Sequence, residues 1–175
     1  MIIRILAKQE QESIYTDAYE MLAAADNEFV PPLSSRSSST QKNLLNTTQN
    51  NSIAQYFEQL KKQRFAAAFE DGVLIAFVSY KENYSCDEIP PEECPNIYIS
   101  TLVVSPKARG KGVTKALYSR LFSEYANVNI FTRTWSTNVA HIKILQNYGF
   151  EILQVLENHR GNGIDTIYFK KSKKS

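Results

Sequence analysis

The chain has 175 residues, 20 Lys and Arg against 18 Asp and Glu, a formal net charge of +2 and 43% hydrophobic residues; this length predicts one compact domain with a proper core, and so small a net charge supplies no broad basic field for nucleic acid. No apolar run approaches the ~20 residues of a membrane span, and the N-terminus lacks a basic-then-apolar signal peptide. Two thiols, Cys86 and Cys94, make neither a disulfide framework nor a zinc site, since no second Cys or His pair has ligand spacing, so a cytosolic protein with reduced cysteines and no metal is expected.

Ile2, Ile3, Ile5 and Leu6 form a short β-branched run that reads as a strand. Over residues 9–25 the apolar positions Ile14, Ala18, Met21, Leu22 and Ala25 recur at spacings of three and four, which predicts an amphipathic helix. Residues 26–51 carry Pro31-Pro32, five serines between 34 and 39, and many Asn, Gln and Thr. That composition favours a long mobile loop over packed core, serving either as a plain connection or as a cover over a substrate. A second helix is expected over 52–62, with Ile53, Tyr56, Phe57 and Leu60 on one face and Ser52 or Asn51 as its cap.

Residues 65–69 and 73–80 are strand-like runs separated by Asp71-Gly72, a dipeptide that accepts the positive φ angles of a tight hairpin. Residues 81–96 hold Glu82, Asp87, Glu88, Glu92 and Glu93 with three prolines, and no regular element is expected there. Strand character resumes over 97–104. Helical spacing at 113–126 and 139–148, the latter stopped by Gly149, alternates with strands at 128–135, 151–156 and 164–169. The alternation requires at least one parallel strand pair and the hairpin requires antiparallel neighbours, so the class is α/β (α+β) with a single mixed sheet. Lys170, Lys171, Lys173 and Lys174 read as a solvated tail, with an acidic partner as the alternative.

Residues 102–117, LVVSPKARGKGVTKAL, carry the chemistry. A strand ends at Val104, Pro106 stops ladder pairing, Gly110 and Gly112 free the main chain, and a helix begins at once. The first N–H groups of a helix lack partners and the helix dipole adds roughly half a positive charge, so this turn is an anion site suited to a diphosphate, with Lys107, Arg109, Lys111 and Lys115 around it. The spacing is neither the phosphate loop of nucleotide hydrolases nor the dinucleotide fingerprint.

The run Leu102-x-Val104-x-Pro106-x-x-Arg109-Gly110-x-Gly112 resembles the acetyl-coenzyme A signature of the GCN5-related N-acetyltransferases, written Arg/Gln-x-x-Gly-x-Gly/Ala. A second stretch is similar to that family's later motif: Asn138 opens an apolar helix that Gly149-Phe150 closes about eleven residues on. The resemblance covers essentially the whole chain. It implies one acetyltransferase domain over 1–175, built on a twisted, mostly antiparallel sheet with helices on both faces. It also implies acetyl-CoA as cofactor and a primary amine of a small molecule or peptide as acceptor. Arg109, Gly110, Lys111, Gly112, Val113 and Thr114 would wrap the pyrophosphate through main-chain N–H groups. Leu102, Val103 and Val104 would hydrogen-bond the pantetheine amides, and Asn138 would contact the pantetheine arm. In the family the strands corresponding to 97–104 and 128–135 splay apart around the thioester.

The chain departs from the pattern at Thr114, where Gly or Ala is usual, at Leu145, where many members carry a proton-donating Tyr, and at Ser100 and Thr101, where acidic residues are frequent. Candidates for the missing proton chemistry are His141, on the stripe of Asn138 and Leu145, and Tyr98, which alternation places on the face of Ser100. Glu82, Asp87 and Glu88 could draw a cationic amine to the entrance, whereas Arg36 suits a carboxylate or phosphate on the substrate. A non-catalytic acyl-CoA binding or sensing module is the alternative reading. Apolar strands that close the core could equally serve a homodimer edge.

Overall fold

The computed structural model describes residues 1–45 and 51–174. Its framework is a seven-stranded sheet of β1 (Ile2–Ile5), β2 (Arg64–Glu70), β3 (Val73–Glu82), β4 (Asn96–Val104), β5 (Asn129–Trp135), β6 (Glu151–Leu156) and β7 (Thr166–Lys171), in the order β1-β2-β3-β4-β5-β7-β6. Every neighbouring pair is antiparallel except β4 with β5. Asp71 and Gly72 both take positive φ, 50° and 80°, so the hairpin between β2 and β3 closes in two residues.

Helices α1 (Tyr15–Ala24) and α2 (Ile53–Leu60) cover one face, where Ala18, Leu22, Tyr56 and Leu60 meet Phe65, Ala67, Phe77 and Val103. Helices α3 (Val113–Glu124) and α4 (Val139–Asn147) cover the other, with Leu117, Leu121 and Leu145 against Ala66, Val78, Ile97 and Ile99. Strand alternation divides these cores: Ile97, Ile99 and Ile130 face α3, while Tyr98 and Phe131 face away from it. Among the described residues no helix is long and apolar enough to cross a membrane.

Three expectations are corrected. The helix predicted over 9–25 is two pieces, a 3-10 stretch Lys8–Ile14 followed by α1. Its polar first half is tied down by side chains: Glu10 accepts the Ala7 N–H at 2.9 Å, and buried Gln11 donates to the Gln63 carbonyl at 2.9 Å. Residues 81–96 are ordered around Asn96, whose side chain bonds both the N–H and the carbonyl of Tyr84, with β3 running to Glu82 and a 3-10 turn at Pro91–Glu93.

The third correction concerns the Ser-rich segment, of which 46–50 lie outside the described residues. Residues 26–45 fold as a packed strap that buries Leu33 and Leu44. Asp26 accepts both the N–H and the hydroxyl of Ser34, at 2.7 and 2.6 Å; Arg133 donates to the carbonyls of Ser39 and Gln41, and His159 Nε2 to the carbonyl of Lys42 at 2.6 Å. The polar composition that reads as loop supplies partners for an irregular main chain laid over the sheet. Leu33→Ala should therefore cost about 2–5 kcal/mol in denaturant unfolding, whereas a strap that merely floated would lose less than about 0.5 kcal/mol.

Candidate active site

Parallel pairing of β4 with β5 runs only from Asn96 opposite Asn129 to Ile99 opposite Thr132. Thr132 Oγ1 donates to the Ile99 carbonyl at 3.0 Å, the last bond across the pair. Beyond it the strands separate around a cavity of about 740 Å³, walled by Ile99 to Val104 on one side and Thr132 to Trp135 on the other. A β-bulge assists the separation: Ser79 pairs with Thr101 and Tyr80 with Ile99, leaving Ser100 without an opposite residue. The Ser100 hydroxyl lies against Gln63 and 2.8 Å from Ser79 Oγ, and buried Thr101 shares a 2.8 Å hydrogen bond with the Tyr56 hydroxyl.

The glycine turn forms one end of this cavity. Gly110 and Gly112 take φ of 74° and 75°, and the space a Cβ would occupy at either is empty, which leaves room for an oxyanion close to the main chain. Helix α3 has no side-chain cap, and its first bond runs from the Ala116 N–H to the Gly112 carbonyl. Among the described residues no acceptor bonds the N–H groups of Gly110 to Lys115. Such a row of free donors over open glycines fits a diphosphate. The Arg109 N–H is already given to Pro106 at 3.3 Å, and its guanidinium donates from Nη2 to both carboxylate oxygens of Glu28 at 2.9 Å and from Nε to the Val104 carbonyl at 3.2 Å.

Of the remaining sequence-predicted residues, Leu102, Val103, Val104, Val113, Thr114, Asn138 and His141 line the cavity, while the Lys111 and Tyr98 side chains lie outside it. Asn138 caps α4, accepting the His141 N–H at 3.4 Å and donating to Thr134 at 3.2 Å. Phe150 and Gly149 return their N–H groups to Leu145 and Gln146 at 3.1 and 2.9 Å, closing the helix. Leu145 is fully buried in the core beside that closure and does not line the cavity. Tyr98 packs with Ile89, Phe131 and Tyr168, its ring 4.6 Å from Tyr84. Burial pushes its phenol up, away from any role as a base near pH 7.

His141 Nε2 shares a 2.7 Å hydrogen bond with the hydroxyl of Tyr118, a cavity-lining residue of α3 that its place in an apolar stripe disguises in the sequence. Burial pushes the imidazole down to about 4 and the Tyr118 phenol up, so both are neutral at pH 7. The acidic residues of 81–96 are used elsewhere: Glu82 accepts from Tyr125, Asp87 pairs with Lys42, and Glu93 pairs with Lys170. None of them lines the cavity. Arg36 does face the cavity, joined by Arg133 and Arg160, which sequence reasoning missed.

The profile of the acetyltransferase (GNAT) family matches residues 22–150. No curated protein sequence matches the chain. Among solved structures, a ribosomal-protein-alanine N-acetyltransferase from Brucella melitensis is 16% identical with a TM-score of 0.66, over 98% of this chain and 99% of that one. The yncA structure of Salmonella typhimurium, solved with its cofactor acetyl-CoA, is 18% identical at a TM-score of 0.64 over 99% and 94%. An aminoglycoside 6'-N-acetyltransferase complexed with coenzyme A is 15% identical at 0.67 over 98% and 97%. At these identities the likeness is one of fold, while the family match takes in the glycine turn, the strand opening and the Asn138 helix together: the chain belongs to the acetyltransferase (GNAT) family and is an N-acetyltransferase that uses acetyl-CoA.

Proposed function

We propose that residues 1–175 act as one cytosolic N-acetyltransferase domain that acetylates a primary amine by direct attack within a ternary complex. The observation that carries this reading is the continuity of one cavity from the free N–H groups of the glycine turn, through the opening between β4 and β5, to the strap side of the sheet. Acetyl-CoA supplies an acetyl thioester, whose carbon–sulfur bond breaks as the amine nitrogen bonds the carbonyl carbon, the thiolate leaving and the amine proton passing to water.

The N–H groups of Gly110 to Thr114 hold the pyrophosphate. The main chain of Leu102 to Val104, which has no β5 partner beyond Ile99, serves the pantetheine amides, with Asn138 fixing the α4 wall. Unpaired main-chain donors on the same strand stabilise negative charge on the carbonyl oxygen. His141 and Tyr118 place a neutral, mutually bonded imidazole and phenol on the cofactor wall. With an imidazole near 4, His141 is a weak acceptor for an amine proton. Glu28, the one carboxylate at the wall among the described residues, is held by Arg109. The acceptor therefore arrives as the free base; for an amine of pKa about 10.4 that costs roughly 4.6 kcal/mol at pH 7.

Thermal unfolding tests the cofactor site. At a hundredfold excess over Kd, acetyl-CoA should add about 2.7 kcal/mol, a rise in Tm of roughly 5–10 °C for a domain of this size. Gly112→Glu, which puts a carboxylate among the free N–H groups, should remove the shift; an equal shift in that variant would contradict the assignment.

The pH dependence follows from His141. Its folded value of about 4 lies below the unfolded 6.5, so between these pH values the unfolded chain binds the extra proton and stability falls as pH falls, by at most about 1.4 kcal/mol per pH unit. His141→Gln should flatten that slope. In turnover, kcat/KM should climb with the ionisation of the amine and show no inflection between pH 6 and 7; an inflection there that His141→Gln abolishes would make His141 the base.

A further inference from the structure

The chain has seven arginines. Arg4, Arg64, Arg109 and Arg120 each pair with a carboxylate. The other three, Arg36, Arg133 and Arg160, line the cavity together, and among the described residues none of them has a carboxylate within ion-pair distance. Arg36 and Arg160 are only 5% and 6% exposed.

Main-chain carbonyls and hydroxyls hold the three in place. Arg36 donates from Nε and Nη2 to the Pro31 carbonyl at 2.9 and 2.6 Å. Arg160 donates from Nη1 to the Val30 carbonyl at 2.7 Å and from Nε to Thr166 at 2.9 Å, with its guanidinium 5.7 Å from the Trp135 ring. Arg133 donates to Tyr168, Ser39 and Gln41. Nη1 of Arg36 and Nη2 of Arg160 have no acceptor among the described residues, and neither is sealed by packing. Burial, with the charge of Arg133 adding to it, holds Arg36 down at about 10; burial and the charges of Arg36 and Arg133 hold Arg160 down at about 9. Both stay cationic at pH 7; the charge of Asp26 reaches Arg36, but its carboxylate is engaged by Ser34 and pairs with none of the three arginines.

The cofactor's phosphates do not account for the cluster. Ile130 faces the α3 core and Phe131 the opposite side, so alternation along β5 turns Arg133 and Trp135 away from α3, whose N-terminus forms the glycine turn. The cavity therefore has two anion environments on opposite faces of the sheet. Packing three guanidinium groups without a counter-ion is unfavourable unless a ligand supplies the charge. Arginines this buried offer no exposed patch to the face of a large polyanion, and a polycationic amine would meet three positive charges and no free carboxylate.

We propose that the acceptor is a small amine that carries a carboxylate, of the free amino acid type, with the carboxylate held by the open nitrogens of Arg36 and Arg160 under the strap and the amine directed to the strand opening. This rests on the acetyltransferase reading above and names its substrate class. Arg133 adds charge and fastens the strap through Ser39 and Gln41.

The test uses the wild-type protein with acetyl-CoA and follows thiol release on each standard L-amino acid beside its own carboxamide, with spermidine and an aminoglycoside as cationic amines. A calorimetric titration with acetyl-CoA runs in parallel. At least one amino acid should be turned over about 100-fold or more better in kcat/KM than its carboxamide, whose amine is the easier to deprotonate. Arg160→Gln and, independently, Arg36→Gln should collapse that ratio mainly through KM while acetyl-CoA binding stays unchanged. Equal use of acid and amide, turnover of the cationic amines alone, or no turnover of any free amino acid by protein that binds acetyl-CoA would overturn the proposal. Failure to bind acetyl-CoA would overturn the acetyltransferase reading instead.

Discussion

Strands β4 and β5 pair in parallel over four residues and then part at Ile99 and Thr132. Each sits mid-sheet, β4 secured by β3 and β5 by β7, so the separation strips main-chain groups of their ladder partners without unfolding either strand. Buried main-chain donors and acceptors must be satisfied by something. In this fold the opening that lacks partners is also the passage from one face of the sheet to the other, and the bulged Ser100 lines it. A continuous ladder would leave two separate faces and no route for an amine on one to meet a thioester on the other.

The two faces offer different donors to an anion. Beside α3 the donors are main-chain N–H groups over two glycines, a geometry that holds a diphosphate without a buried ionised side chain. Under the strap the donors are guanidinium groups, fixed in rotamer by Pro31, Val30 and Thr166 and therefore positioned before a ligand arrives. Preorganised donors lower the ordering cost of binding. The strap is consequently part of the site: the carbonyls of residues 30, 31, 39 and 41 orient the arginines, and the arginines in turn hold the strap to the sheet.

What was legible in the sequence is what depends on local backbone geometry. Asp71-Gly72, Gly110, Gly112 and Gly149 all take the positive φ that their turns require, so the hairpin, the glycine turn and the close of α4 could be read directly. Ser52 capped α2 as its position predicts. Strict alternation holds as far as Ser100, whose hydroxyl reaches Ser79 and Gln63 on the face of Tyr98, and slips after it, where Thr101 reaches Tyr56 on that same face; Tyr98 misses the cavity because it packs with Ile89, Phe131 and Tyr168. The strap was obscured because its hydrogen bonds reach residues about a hundred positions away, and Arg133 and Arg160 look unremarkable singly, one in a strand and one in a hairpin loop. Tyr118 was hidden by the apolar residues around it on α3.

On the proposed function, the free N–H groups at the start of α3 receive the cofactor and the arginine face does not. Backbone amide chemical shifts, followed by NMR as acetyl-CoA is titrated into the protein, test it most directly. The largest perturbations should fall on Gly110 to Lys115 and extend along Leu102 to Val104, with the side-chain signals of Arg36 and Arg160 little changed. Perturbations centred on Arg36, Arg133 and Arg160, with the glycine turn silent, would contradict the account.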